Sequence, residues 1–348
     1  MFFASDNSGP AAPQVMDAIV AANTGYQGSY GSDDIMDRVR SQVREIFEAP
    51  DAAVYLVATG TAANSLALAT LTKPWSAIYC HQEAHIEEDE CNAPEFFTGG
   101  AKLRLVGGEN AKIDPVSLKT ALDSGTSDFV HWPQRGALSI TNVTERGGVY
   151  SVSEVAELCA IAKGFDLPVH MDGARFSNAL VSTNASAADM TWRAGVDALS
   201  FGGTKNGLLG VEAVVFFDPK HAWEFELRRK RSGHLFSKHR YLSAQMEAYL
   251  TDDLWLDMAR HANNAANRLR AGLLKAGAEL QFGQDANMVY AAFSRAQHKR
   301  AMDAGAQYYL NDNDASLDGD GVGKLGCRLV TNWSSKDEDI DRFIDLLG

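Results

Sequence analysis

The sequence predicts an α/β protein built on a mainly parallel sheet between helices. Three stretches carry that prediction. In P-V-H-M-D-G-A-R-F, over 168–176, the apolar residues Leu167, Val169 and Met171 lead to Asp172. In D-A-L-S-F-G-G-T-K-N-G, over 197–207, Val196, Ala198, Leu199 and Phe201 lead to Lys205. Each short apolar run, bounded by Pro, Gly or Asp, reads as a buried strand. The third stretch is V-Y-L-V over 54–57, followed by T-G-T and an alanine- and leucine-rich run over 62–71. It reads as strand, tight turn and helix. Sheets of this class place their chemistry at the carboxyl ends of the strands. An aspartate and a lysine far apart in sequence would therefore be neighbours in space.

Composition sets the outer limits. The 348 residues, 45% of them hydrophobic, suffice for one large core or two domains. A net charge of −13 argues against general nucleic-acid binding. The basic run Arg228, Arg229, Lys230 and Arg231 reads as a solvated helix face. No apolar stretch approaches the length of a membrane span. The opening M-F-F-A-S-D-N lacks the basic region and apolar core of a signal peptide. Cys80, Cys91, Cys159 and Cys327 form no C-x-x-C pair and read as free thiols of a reducing cytoplasm.

Along the chain, residues 2–9 read as a loop that caps a first helix led by Pro10 and Pro13. Y-Q-G-S-Y-G-S-D-D over 26–34 is a glycine-broken polar loop, followed by an amphipathic helix over 35–48. The turn Thr59-Gly60-Thr61 joins a strand to a helix N-terminus, whose free N–H groups and dipole make an anion site. No G-K-[ST] follows, so it is not a Walker loop. A strand over 78–80 leads into H-Q-E-A-H-I-E-E-D-E. His81 and His85 stand at i, i+4, but H-E-x-x-H is absent and the acids suit a solvated helix, so no metal is expected. Further strands are predicted over 101–107 and 129–132, joined by a helix over 115–122, and over 138–143. Asn142 and Thr144 there suit either a turn or a ligand contact. A helix over 153–165 follows, capped by Ser151 or Ser153. His170 reads as a buried, satisfied histidine.

Beyond Lys205 come a strand over 211–217 and helices over 241–250 and 254–275. Strands over 287–293, 306–310 and 326–330 suit a small α+β domain. The intervening D-N-D-A-S-L-D-G-D-G-V-G, aligned on Asp314, starts like an EF-hand loop at Ser316, Asp318 and Gly319. Leu325 stands where the bidentate glutamate is required, so the stretch reads as an exposed hairpin tip. Arg328 lies on the returning strand, suited to clamping a carboxylate.

An acid and a lysine at two strand ends suit pyridoxal phosphate. The lysine binds the cofactor aldehyde, and the acid keeps the ring nitrogen protonated so that the ring accepts electrons. Gly60 and Thr61 would then cup the cofactor phosphate.

With H-M-D-G-A-R, the later T-K and the upstream T-G-T-A-A-N, the sequence resembles the low-specificity L-threonine aldolases, which are fold-type I (aspartate-aminotransferase-like) enzymes. The resemblance runs from S-D-N at the start to C-R-L-V-T near the end. It implies a large domain over 44–240 with a mainly parallel sheet of the seven-stranded type. A small domain would combine 1–43 with 245–348. It implies retro-aldol cleavage of L-threonine, L-allo-threonine and similar L-β-hydroxy-α-amino acids to glycine and an aldehyde. Catalytic residues would be Lys205, Asp172 and His85, the last stacked on the ring and the first choice for base. Thr204 and Arg175 would join the cofactor contacts. Ser5, Arg175 and Arg328 would hold the substrate carboxylate, with Tyr30 and Lys230 on the substrate side. The family's usual homotetramer, a dimer of dimers, would share sites between subunits. Two departures stand out. The E-N-T-H histidine of some members is absent from Asn142-Val143-Thr144-Glu145, and H-L-F-S-K-H-R replaces the M-R-Q arginine, leaving Lys238 as its substitute. The motifs fix the cofactor better than the bond broken. β-Elimination, transamination and racemisation therefore stand as alternatives, beside a non-enzymatic anion-binding protein.

Overall fold

The computed structural model describes residues 1–124, 129–311 and 315–348. Among the described residues, seven strands form the larger sheet: β1 (Ala53–Val57), β2 (Ser76–His81), β3 (Lys102–Val106), β4 (Gln134–Thr141), β5 (Val169–Gly173), β6 (Ala198–Phe201) and β7 (Glu212–Phe216). Their order is β1-β7-β6-β5-β4-β2-β3. β3, β2, β4, β5 and β6 run parallel, while β7 is antiparallel to both its neighbours. Every residue of β1, β2, β5, β6 and β7 is buried. Helices cover both faces, which is why these strands read as near-continuous apolar runs.

The smaller sheet, β8 (Glu279–Gln281), β9 (Met288–Ser294), β10 (Tyr309–Leu310) and β11 (Lys324–Val330), is antiparallel in the order β10-β11-β9-β8. Helices Leu254–Lys275 and Asp337–Leu347 close its core through Leu269, Leu273, Ile340 and Phe343. The segment 1–43, grouped above with the small domain, is shared between the two cores. Phe3 packs with the smaller sheet, whereas Val15, Met36 and Val39 pack into the larger core. The apolar stripes of helices Pro13–Ala22 and Asp34–Ile46 face helix Arg240–Leu250.

The caps follow from local chemistry. Thr59 accepts from the Ala62 N–H at the start of helix Gly60–Leu71, and Ser151 forms a capping box with Glu154. Two expectations need correction, and one strand went unread. Residues 129–132 are not a strand: Trp132 turns back to donate to the Phe129 carbonyl, and Pro133 has no N–H for a ladder. β8 went unread because it is a three-residue edge strand with two polar members. The basic run is not wholly solvated, since Arg229 is 2% exposed, donates to the Leu56 carbonyl at 3.3 Å and lies 5.0 Å from the Tyr55 ring centroid. The EF-hand alignment begins on Asp314, which lies outside the described residues. Among the described residues, no helix is long and apolar enough to cross a membrane.

Aromatic packing fixes the ends of β5 and β6. Phe201 meets Phe176 at 5.8 Å, Phe47 at 5.7 Å and Trp255 at 5.4 Å, each edge-on. Just beyond, the backbone at Gly202 passes against the next loop. A Cβ there would lie 2.3 Å from the Ala174 carbonyl oxygen. Gly202→Ala is therefore expected to destabilise the fold by about 1–3 kcal/mol through overpacking against backbone. Chemical denaturation checks this, and wild-type stability would contradict so close an approach.

Candidate active site

Asp172 is the penultimate residue of β5, opposite Thr141 of β4 and Ser200 of β6, and is 3% exposed. Its Oδ1 accepts the Ala174 N–H at 3.0 Å, and its Oδ2 accepts Asn64 Nδ2 at 2.9 Å. The loop after β6 turns through Thr204–Asn206, which leaves Lys205 half-buried. The Gly203 N–H anchors this turn by donating to Glu212 at 2.6 Å. Burial pushes the Glu212 carboxyl up, against that N–H and the Lys205 charge.

His85 begins the short helix His85–Glu88 after β2. Its Nδ1 lies 2.8 Å from Glu90 Oε1. The Glu90 carboxylate raises the imidazole above its ordinary value; burial opposes, Asp172 and Glu145 add, and Lys205 opposes. His81 instead pairs with the Gly108 carbonyl and the Glu83 N–H, a structural role as expected. His170 is fully buried between the Ser139 and Ser200 hydroxyls, also as expected. Asn142 and Thr144 serve the turn: Asn142 Oδ1 accepts the Tyr150 N–H, and Thr144 Oγ1 donates to the Asn110 carbonyl.

Arg175 comes to the site with its fork engaged. Nε donates to Asp6 Oδ2 at 2.6 Å and Nη2 to Asp6 Oδ1 at 2.9 Å, and Asn287 Nδ2 adds a third bond to Asp6 at 3.1 Å. Burial pushes the Asp6 carboxyl up, but Arg175, Lys205 and Asn287 outweigh it and hold it below the usual range. The adjoining Ser5 is half-buried and accepts from the Asn7 N–H at 3.1 Å. Arg328 stands on β11 between Tyr290 of β9 and Tyr309 of β10. It donates through Nη2 to the Ala4 carbonyl at 3.3 Å, while its buried Nε has no partner among the described residues. Arg328, Tyr290, Arg146, Glu145 and Glu83 line a cleft of about 400 Å³.

The other expected residues lie at the margins. Gly60 and Thr61 are half-buried at their helix start, and a Cβ at Gly60 would meet nothing within 4 Å. Tyr30 and Lys230 meet each other, the ammonium 4.7 Å from the ring centroid. Lys238 is exposed. Sequence reasoning passed over Asn64, Glu90 and Glu212. Asn64 closes the T-G-T-A-A-N motif, a signal available but unused. Glu90 hid in an acidic run whose members Glu88 and Asp89 are indeed exposed. No group of three metal-binding side chains occurs among the described residues.

The sequence profile of the β-eliminating lyases matches residues 3–296. The chain belongs to the β-eliminating lyase family. Within it, the chain is 39% identical to a low specificity L-threonine aldolase of Pseudomonas aeruginosa, over 99% of this chain and 95% of that one. It is 38% identical to one from Pseudomonas sp. (strain NCIMB 10558), over 96% and 93%. A threonine aldolase of Leishmania major superposes with a TM-score of 0.91 at 26% identity, over 99% of this chain and 98% of that one. A serine palmitoyltransferase of Sphingomonas wittichii, 15% identical with a TM-score of 0.72, shares the fold-type I architecture, covering 100% of this chain and 86% of that one.

The residues of this β-eliminating lyase fit pyridoxal phosphate. A buried carboxylate is penultimate in β5, a lysine stands on the adjoining loop, and open space fronts the helix at Gly60.

The Arg175–Asp6 pair yields a stability prediction. Asp6→Asn leaves a buried guanidinium without its countercharge, at a cost of about 3–5 kcal/mol near neutral pH. Because the folded Asp6 carboxyl is held low, its contribution is complete above the unfolded carboxylate value. It is lost as pH falls through the folded one. The stability gap between wild type and Asp6→Asn should therefore narrow only in acid, as denaturant titrations at stepped pH would reveal.

Proposed function

We propose that this protein uses pyridoxal 5′-phosphate to cleave L-threonine, L-allo-threonine and related L-β-hydroxy-α-amino acids, such as phenylserine, to glycine and an aldehyde. The observation that carries the reading is the placement of Asp172 and Lys205 at adjoining strand ends, in a chain so similar to low specificity L-threonine aldolases. When bound, the cofactor supplies a sink for the electron pair released as the Cα–Cβ bond breaks. Lys205 would hold its aldehyde carbon, and Asp172 would hold the proton on its ring nitrogen. The free N–H groups at Gly60 and Thr61, with Thr204 nearby, would hold its phosphate. Arg328 would clamp the substrate carboxylate with Ser5 beside it, and the Asp6–Arg175 pair would fix the wall behind them. His85 would cover the ring face and take the proton of the β-hydroxyl.

In this reading the chain works as a homotetramer, a dimer of dimers, in the cytoplasm. Large apolar side chains left exposed near the loops of Tyr30 and Lys205, among them Tyr26, Leu209 and Phe236, support assembly. Tyr30 and Lys230 would then face a neighbouring subunit's site. Free cysteines support a reducing compartment.

Product analysis with L-threonine, L-allo-threonine and L-phenylserine tests the reaction. Equimolar glycine and the matching aldehyde are expected, with Lys205→Ala abolishing turnover. A 2-oxo acid as the main product would overturn the reading. For binding, Arg328→Ala should raise the substrate KM by roughly thirty-fold or more with cofactor retained, since truncating one partner of a buried charge pair costs about 2–5 kcal/mol. An unchanged KM would move the carboxylate elsewhere.

A further inference from the structure

Glu90 has no part in the function proposed above, yet it is an enclosed charge beside the site. Its side chain has no solvent exposure. Oε1 meets His85 Nδ1 at 2.8 Å and also accepts from Asn64 Nδ2 at 2.8 Å. The same Asn64 nitrogen donates to Asp172 Oδ2 at 2.9 Å. One amide therefore offers a proton to each of two buried carboxylates and joins them into a continuous chain, His85–Glu90–Asn64–Asp172. Glu90 Oε2 and Asn64 Oδ1 are buried without partners among the described residues, so His85 and Asn64 are the partners the structure gives the Glu90 carboxylate.

A buried carboxylate is costly unless paired. The cation that can pair with this one is an imidazolium at His85. The contact also settles which ring nitrogen is free. A proton on Nδ1, donated to Glu90, leaves Nε2 as the nitrogen that can accept one, the logic by which a carboxylate orients a catalytic histidine.

We propose that Glu90 is a positioning residue for the cleavage: it fixes His85 with Nδ1 protonated and Nε2 free to act, and Asn64 ties that dyad to Asp172. The proposal rests on the reading of His85 as the base. It assigns the histidine's partner to a carboxylate five residues along the same chain, so the base needs no second histidine from 142–145.

The charges facing His85 favour this arrangement. Glu90 touches it, Asp172 from β5 and Glu145 from the loop after β4 add negative charge, and Lys205 from the loop after β6 subtracts. On its own short helix, Glu87 is half-buried and Glu88 exposed. The sum holds the imidazole above its ordinary value. A base whose folded value is raised becomes available only as pH climbs through that value. The acid limb of the kcat profile should then coincide with His85, and removing the Glu90 charge should move both to lower pH.

The test is an NMR titration of the full-length chain labelled at the histidine ring carbons, without and with pyridoxal phosphate. The His85 signal is identified by its loss in His85→Asn. In Glu90→Gln, which keeps the shape and removes the charge, the His85 midpoint is expected at lower pH than in wild type. The acid limb of kcat for phenylserine is expected to move the same way. An unmoved His85 midpoint overturns the proposal while leaving the aldol reaction standing, and so does a moved midpoint with an unmoved acid limb. Failure of the wild-type enzyme to cleave any substrate would overturn the reaction but not the NMR result. If Glu90→Gln does not fold, wild type decides: a His85 midpoint at or below about 6.5, the ordinary imidazole value, overturns the pairing.

Discussion

The lateral pairing of β5 with β6 is the constraint on which the rest depends. Parallel register sets Asp172 beside Ser200, so the chain leaving β5 and the chain leaving β6 emerge at one edge of the sheet. The acid occupies the last part of one strand, and the lysine follows the other by a single tight turn. The aromatic cluster about Phe201 and the close backbone approach at Gly202 then prevent the two ends from separating. β4, on the other side of β5, contributes the turn that carries Glu145 and Arg146 to the cleft.

The charges inside this frame follow one rule. Asp6 meets Arg175, Glu90 meets His85, and Glu212 accepts the Gly203 N–H under the field of Lys205. The Asp6–Arg175 pair acts as a cross-link as well as an electrostatic device, joining segments far apart in the chain, whereas the His85–Glu90 pair is local and reaches another element through Asn64. Conformational specificity of this sort depends on direction, which apolar contacts lack.

Much of this was legible in the sequence because it was written in runs. Strands β5 and β6 announced themselves by apolar stretches ending in Asp172 and near Lys205, and the helix after β1 by T-G-T. The fold class and its family followed from those runs together. What escaped detection has no run to announce it. Glu90 looks like Glu88 and Asp89 until burial separates them, and burial depends on helix Gly60–Leu71 passing overhead with Asn64. Residues 129–132 carry the apolar signal of a strand, yet one proline removes the donor that a ladder needs. Arg229 sits among three other cations, and the Leu56 carbonyl and Tyr55 ring that receive it distinguish its fate. Such outcomes are properties of tertiary neighbours, not of local pattern.

The first six residues occupy an unusual place. The Phe3 N–H donates to the Gln307 carbonyl, the Val330 N–H to the Phe3 carbonyl, and Asp6 is bound by Arg175 and Asn287. This early segment is thus held by Arg175 of the larger domain and by Asn287, Gln307 and Val330 much later in the chain. On the ribosome the large sheet can assemble while this segment waits, since its partners at 287, 307 and 330 do not yet exist. Closing so long a loop carries an entropic cost that local pairing does not. This closure therefore forms last. A chain interrupted before β9 would possess Asp172 and Lys205 but lack the partners at 287, 307 and 330 that pin Phe3 and Asp6 in place.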